Sequence, residues 1–345
     1  MTKYKIGIIG ATGYTGSELV RILINHPDVE ISLITSESRA GEKFSDVHPF
    51  FQGIEDRKLV SINQIENVYL DLVFLALPHG VSMDFVKKFH KKAFKIVDLS
   101  GDFRLNSGAD YEEWYHKKHI YPRGIEDAVF GCPELFANKI KEAKLVANPG
   151  CFPTTAILGL APLIANGLVE KEEIIIDSKS GVTGAGVKSN PVNMYSNVND
   201  NFKAYGLKTH RHTIEIQNIL DQLAGEKTLV QFTPHLLPVD RGILSTIYAR
   251  PVGSMDQEQL MQRYTEFYAH APFVRIRNQA PAIKDVRGSN YCDLHVSFDA
   301  RTNRIIIISV IDNLVKGAAG QAVQNMNLML GINETQGLNQ VPVNP

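Results

Sequence analysis

The chain reads as an α/β protein in two parts: a Rossmann-type parallel sheet domain, then an α+β domain with a mixed, largely antiparallel sheet. Three observations predict this. Short apolar runs alternate with amphipathic helical stretches through the first half, the pattern of parallel strands covered on both faces. A glycine-rich turn follows the first of those runs and opens a helix, the setting a dinucleotide fingerprint requires. In the second half, longer strand-like runs follow one another, several without a helix between them, which suits antiparallel neighbours.

Taken in order, strands are expected at 4–9, 30–35, 72–76, 95–98 and 144–147, with helices at 16–25 and 82–92. A helix at 156–165 then opens the second part. Its strands are expected at 174–179, 229–233, 243–250, 291–299 and 304–311, with helices at 213–223 and 256–269. An Ala/Gly-rich helix at 317–330 ends at Gly331, the residue type that tolerates the left-handed turn closing a helix. Residues 36–58 and 100–131 are long for plain connections. Both follow strands of the parallel sheet, on the side where ligands bind in such folds. The polar stretch 333–345 is expected to be poorly ordered or to lie on the surface.

A chain of 345 residues is too long for one ordinary core, so two domains are expected. The net charge of -1 gives no electrostatic case for nucleic acid or an anionic membrane surface. No apolar run reaches the 18 or so residues of a membrane span. The start superficially resembles a signal peptide, but its short apolar stretch runs straight into Gly10-Ala-Thr-Gly13 with no cleavage site. Cys132, Cys151 and Cys292 are odd in number and widely spaced. No disulfide framework or metal spacing follows, and a reducing cytoplasmic setting fits best.

Cys151 is the most informative residue. It lies in Asn148-Pro149-Gly150-Cys151-Phe152-Pro153-Thr154-Thr155, between a strand-like run and an apolar helical run. Pro153 suits the first turn of a helix, so the cysteine falls at a helix N-terminus, where the dipole and N–H groups favour a thiolate. The bland alternative is a small buried cysteine.

The turn Gly10-Ala11-Thr12-Gly13-Tyr14-Thr15-Gly16 is a GxxGxxG variant of the pyrophosphate-binding fingerprint. Glycines there let the backbone approach a phosphate, and the helix N-terminus supplies donors. At the end of the second strand, Ser36, Ser38 and Arg39 suit a 2′-phosphate, while Glu37 would suit a ribose diol or point away. His210-Arg211-His212 offers an imidazole near neutral pKa as general acid–base partner to a thiolate. Ser180-Gly181-Val182-Thr183-Gly184-Ala185-Gly186 implies a backbone that bends or approaches something closely. Asp98-Leu-Ser100-Gly101-Asp102-Phe-Arg104 ends a sheet strand; Arg104 could clamp a carboxylate or phosphate, or simply pair within its loop.

Together these residues resemble the N-acetyl-γ-glutamyl-phosphate reductases of arginine biosynthesis, over nearly the whole chain. The likeness includes Ala76-Leu-Pro78-His-Gly80, Leu99-Ser-Gly-Asp-Phe-Arg104, Thr209-His-Arg-His-Thr-Ile-Glu215, Pro234-His-Leu-Leu-Pro238 and Asp312-Asn313-Leu-Val-Lys-Gly. Its most specific part is the cysteine motif. One small departure is Gly101, where many members have Ala.

The resemblance implies NADPH-dependent reduction of N-acetyl-L-glutamyl 5-phosphate to the 5-semialdehyde through a Cys151 thioester, with His210 as acid–base residue and no metal. It implies cofactor contacts at Gly10, Thr12, Gly13, Tyr14, Thr15, Gly16, Ser36, Ser38, Arg39, Pro78, Gly184 and Asn313. Arg104, Asn148, His212 and Glu215 would contact or support the substrate. Residues 1–148 and 315–345 would form the NADP(H) domain, and 149–314 the catalytic and oligomerisation domain of a homodimer or homotetramer. Three rivals fare worse. A lysine-pathway reductase of a carrier-bound aminoadipate phosphate would want a basic patch that the net charge does not suggest. Aspartate-semialdehyde dehydrogenases carry an Asn-Cys-Thr type of motif instead. A redox sensor would leave the His-Arg-His segment idle.

Overall fold

A computed structural model describes residues 3–344. They form two compact units: residues 3–149 with Ala318–Asn339, and Gly150–Gly317 with residues 340–344.

The first unit is a six-stranded parallel sheet of β1 (Tyr4–Ile9), β2 (Val29–Thr35), β3 (Leu72–Leu75), β4 (Lys95–Asp98), β5 (Ala128–Phe130) and β6 (Leu145–Ala147). Their order is β2-β1-β3-β4-β6-β5, with every neighbouring pair parallel. Ile6, Ile8, Leu72, Val73, Phe74 and Val97 are wholly or almost wholly inaccessible. That is why these strands read as unbroken apolar runs rather than alternating ones. β5, only three residues long, was not expected, since Ala-Val-Phe is too short to show a period. The stretch 100–131 is no plain loop either: it holds helices at Gly108–Tyr115 and Pro122–Asp127.

The last helix, Gly320–Met329, belongs to this unit and follows a π-helical turn at Val315–Ala319. Lys95 Nζ donates to the Met329 carbonyl at its C-terminus (2.6 Å), satisfying an orphan acceptor. Most of residues 333–344 lie at the surface, as expected, but the first part is held in place. Asn327 Nδ2 donates to the carbonyls of Glu334 and Gln336, and Leu338 is fully buried. The polar residues that suggested a surface tail sit around one apolar anchor.

In the second unit a mixed seven-stranded sheet holds β7 (Ile174–Gly181), β8 (Lys203–Ala204), β9 (Val230–Leu237), β10 (Ile243–Ala249), β11 (Val274–Ile276), β12 (Cys292–Asp299) and β13 (Arg304–Ile311). The order is β11-β12-β13-β10-β7-β9-β8; β7–β9 and β11–β12 are parallel and the other pairs antiparallel. Helix Cys151–Ile164 lies against β10, β13 and helix His212–Ala224. Every residue of it after Cys151 is buried, as an all-apolar helix requires. Pro162 cannot donate to the Leu158 carbonyl four residues back. The Tyr268 hydroxyl donates to that carbonyl instead.

Candidate active site

In the first unit, β1 gives way to the turn at Gly10, whose φ of +88° an L side chain rarely adopts. A Cβ there would stand 2.5 Å from the Ala76 carbonyl oxygen, and one on Gly16 would stand 2.6 Å from Ala11 Cα. Gly10 is demanded by packing against the backbone after β3, and Gly16 by packing within its own turn. Gly13 is different: a Cβ there would meet nothing within 4 Å. It is the N-cap of helix Tyr14–Leu23, and no side chain caps that end. The N–H groups of Tyr14, Thr15 and Gly16 therefore head an uncapped helix beside open space, as a bound pyrophosphate requires. The turn fits a dinucleotide.

Thr12 Oγ1 and Ser36 Oγ lie 3.3 Å apart, linking this turn to the end of β2. Ser38 and Arg39 are exposed beyond it, with the Arg39 guanidinium on Glu42 at 2.8 Å. The Glu37 carboxylate accepts the Ile62 N–H at 2.6 Å, so the backbone at Ile62 occupies it. Pro78 is exposed in the turn after β3. Arg104 is buried, and its Nη2 donates to the Leu99 carbonyl at 2.7 Å, folding it back on its own loop. Asn148 was expected to touch substrate. It is buried instead, with Nδ2 on the Ala318 carbonyl (3.2 Å) and Oδ1 accepting from Asn325 (3.0 Å), so its amide holds the fold.

In the second unit, Cys151 is the first residue of its helix and is partly accessible. Gly150 is the N-cap with no side-chain cap. Pro153 lies third in the helix, within its first turn as expected. It lacks an N–H, and Thr154 N–H reaches the Gly150 carbonyl (3.0 Å). The N–H groups of residues 151 and 152 thus head the helix. The fully buried Glu215 accepts the Gly150 N–H at 2.7 Å. A Cβ on Gly150 would run into the His212 ring, and one on Gly317 would stand 2.8 Å from Cys151 Cβ. Glycine at both positions lets neighbours close on the thiol-bearing residue.

His210 and His212 meet edge to face at 4.8 Å, and both rings pack on Phe152, at 5.6 and 5.9 Å. His210 Nδ1 accepts the His212 N–H (3.2 Å), which puts the hydrogen of the neutral ring on Nε2. Burial, helped by the Arg211 charge, holds the His210 pKa down to about 4. The near-neutral value expected of an acid–base histidine is not found, because desolvation disfavours imidazolium.

Sequence reasoning missed Tyr205. Its ring meets His210 at 5.5 Å, and burial together with the Cys151 thiolate charge pushes its phenol pKa up. Only its place five residues before His210 could have hinted at this. Gly317 was also missed, hidden at the start of an apparently ordinary helix. Asn313, expected at the cofactor, is buried with Oδ1 accepting from Gly242 N–H (2.8 Å) and Nδ2 donating to Thr183 Oγ1 (2.9 Å). It braces the loop that carries the exposed Gly184 and leaves its amide committed to protein partners.

Residues 5–143 match the family model described as semialdehyde dehydrogenase, NAD binding domain, and residues 151–313 match semialdehyde dehydrogenase, dimerisation domain. The structure is similar to aspartate semialdehyde dehydrogenase II from Vibrio cholerae (TM-score 0.73, 17% identity, 96% of this chain and 99% of that one). It is also similar to aspartate semialdehyde dehydrogenase with NADP from Candida albicans (TM-score 0.69, 18% identity, 95% and 99%). At such identities the likeness is one of fold. Closer in sequence is the N-acetyl-gamma-glutamyl-phosphate reductase of Pelotomaculum thermopropionicum, 49% identical over 337 residues and 97% of each chain. Those of Geobacter metallireducens and Desulfotalea psychrophila are 48% and 50% identical over 99% of each chain. The chain belongs to the N-acetyl-γ-glutamyl-phosphate reductase family.

Proposed function

We propose that the protein reduces N-acetyl-L-glutamyl 5-phosphate to N-acetyl-L-glutamate 5-semialdehyde with NADPH, releasing phosphate, in arginine biosynthesis. The observation that carries the mechanism is the head of the Cys151 helix, fixed through Gly150 by the buried Glu215 carboxylate.

The Cys151 thiolate, favoured by its helix N-terminus, attacks the acyl phosphate carbonyl carbon. The bond from that carbon to the phosphate oxygen breaks, phosphate leaves with the electron pair, and a thioester remains on Sγ. The N–H groups of residues 151 and 152 suit the oxygen that gains charge in this step. Gly10, Thr12, Gly13, Tyr14, Thr15 and Gly16 hold the pyrophosphate, and Ser36, Ser38 and Arg39 take the 2′-phosphate. When bound there, NADPH supplies the hydride that reduces the thioester carbonyl. The resulting hemithioacetal alkoxide collapses to the aldehyde, expelling the Cys151 thiolate, and the one proton the reaction consumes is taken from solvent by the departing phosphate. His210, neutral with its hydrogen on Nε2, donates a hydrogen bond to the developing negative charge. His212 positions the Gly150 end of the helix, and Arg104 binds a substrate anion by turning from the Leu99 carbonyl.

The protein works as a homodimer or homotetramer joined through the second unit's sheet, in the cytosol. The match to a dimerisation domain supports the assembly. No helix among the described residues is long and apolar enough to cross a membrane.

The test runs the reaction in reverse, following NADPH formation from NADP. N-acetylglutamate 5-semialdehyde with phosphate is expected to give NADPH. Aspartate semialdehyde, or omission of phosphate, is expected to give none. No NADPH from the acetylated aldehyde would overturn the reading.

A further inference from the structure

The first unit carries a buried carboxylate that the mechanism above does not use. Asp102 is fully inaccessible. Its Oδ1 and Oδ2 accept the Gly80 N–H at 2.7 and 3.0 Å, its Oδ2 accepts the Met83 N–H at 3.0 Å, and its Oδ1 accepts the Tyr111 hydroxyl at 2.8 Å. Gly80 lies in the turn leaving β3, at φ +80°. Met83 is in the first turn of helix Ser82–Phe89, where a carboxylate is favoured. One anion from the segment after β4 therefore holds both the turn after β3 and the helix that follows it.

The two segments interlock a second time. Gly101 N–H donates to His79 Nδ1 at 2.7 Å. The His79 ring meets Tyr115 edge-on at 5.4 Å, and Tyr115 stacks on Tyr111 at 4.5 Å. A Cβ on Gly101 would come within 2.6 Å of Tyr115 Cζ, so glycine at 101 makes room for that ring. These turns lie at the carboxyl ends of β3 and β4, neighbours in the parallel sheet, where open α/β sheets bind their ligands.

We propose that Asp102 is a positioning residue for the cofactor: its buried carboxylate clasps the 76–83 turn to the 99–104 segment, so the wall of the crevice beside Pro78 is set before NADPH arrives. The inference rests on the cofactor reading given above. Ionic hydrogen bonds are the strong ones, and a preformed wall spares the ligand the cost of ordering it.

The test is Asp102→Asn in the full-length protein. The amide oxygen of asparagine still accepts, but its NH2 cannot accept from the donors that the second carboxylate oxygen faces. NADPH affinity is read by fluorescence titration, with KM and kcat from the reductase assay and the rate of Cys151 alkylation by iodoacetamide. The expected result is a rise of roughly 10-fold in both the NADPH dissociation constant and KM. kcat at saturating NADPH and the alkylation rate should stay near wild type. A folded D102N protein with lower thermal stability but unchanged NADPH affinity and KM would overturn the proposal. If D102N does not fold, Tyr111→Phe, which removes one donor to the clasp, decides. A smaller rise in KM for NADPH supports the clasp, and wild-type affinity overturns it. Wild-type protein that binds no NADPH would sink the cofactor reading and the clasp together. Wild-type binding with unaltered variants would sink the clasp alone.

Discussion

Glu215, a side chain with no solvent access, accepts at 2.7 Å the N–H of Gly150, one residue before Cys151. The two are 65 residues apart in sequence. The bond stops the N-cap of the Cys151 helix from shifting, and so fixes where Sγ stands.

Glu215→Ala should therefore damage both fold and turnover. It leaves a buried N–H without its acceptor, at a cost of about 1–3 kcal/mol. A misplaced nucleophile should lower kcat by roughly 100-fold. Glu215→Gln keeps an acceptor oxygen and should stay closer to wild type in both. Steady-state kinetics beside a urea titration of each variant checks this. Wild-type kcat in the alanine variant would remove Glu215 from the site.

Cys151→Ala should bind NADPH and release no phosphate from the acyl phosphate. Intact mass of wild-type protein mixed with substrate in the absence of NADPH should show one acyl adduct, lost in the variant. Turnover by the alanine protein would end the thioester scheme.

His210→Ala should lower kcat by roughly 10²–10³-fold, the loss of one hydrogen-bond donor to a developing oxyanion, with NADPH affinity retained. The pH dependence of stability carries a separate signature. The folded pKa of about 4 lies below the unfolded value, which is about 6.5. Above pH 6.5 both states are neutral. Between there and pH 4 only the unfolded chain takes up the proton, so stability is lost as pH falls. Wild type should lose roughly 2 kcal/mol relative to His210→Ala between pH 7.5 and pH 5. A stability difference that does not change with pH would show that His210 is not held neutral by burial.

Arg39→Ala should raise KM for NADPH more than KM for NADH. A charge-assisted bond to phosphate contributes about 1.5–3 kcal/mol, or roughly 10–100-fold. The Arg39 guanidinium is exposed and pairs at the surface with Glu42, so the substitution should leave thermal stability almost unchanged. Equal effects on the two cofactors would assign the 2′-phosphate elsewhere.

Most strands and the principal helices were legible because their signals are local. Residues 305–308 are an unbroken isoleucine run on β13, and residues 6–9 are the buried, polar-free end of β1. β5 and the helices at Gly108–Tyr115 and Pro133–Glu142 were not legible. The first is too short for a period. The helices gain their place from packing, as Tyr111 does by burying its ring under Asp102. Within the candidate site, Cys151, the glycine turn and the two histidines announced themselves by motif. Tyr205 and Gly317 did not, because nothing near them in sequence marks what they touch. Asn148 and Asn313 looked like ligand contacts, yet folding directs their amides to Asn325 and Ala318, and to Gly242 and Thr183.

The sequence by itself determined the fold class and the family, and it singled out Cys151 as the candidate nucleophile, since periodicity, glycine spacing and helix-start chemistry act over a few residues. Only the tertiary structure decided which polar groups are buried against which. Desolvation depends on every atom packed around a group, and residues far apart in sequence supply those atoms. That is why the sequence could name His210 but not its lowered pKa. It could name Glu215 but not the Gly150 N–H it holds.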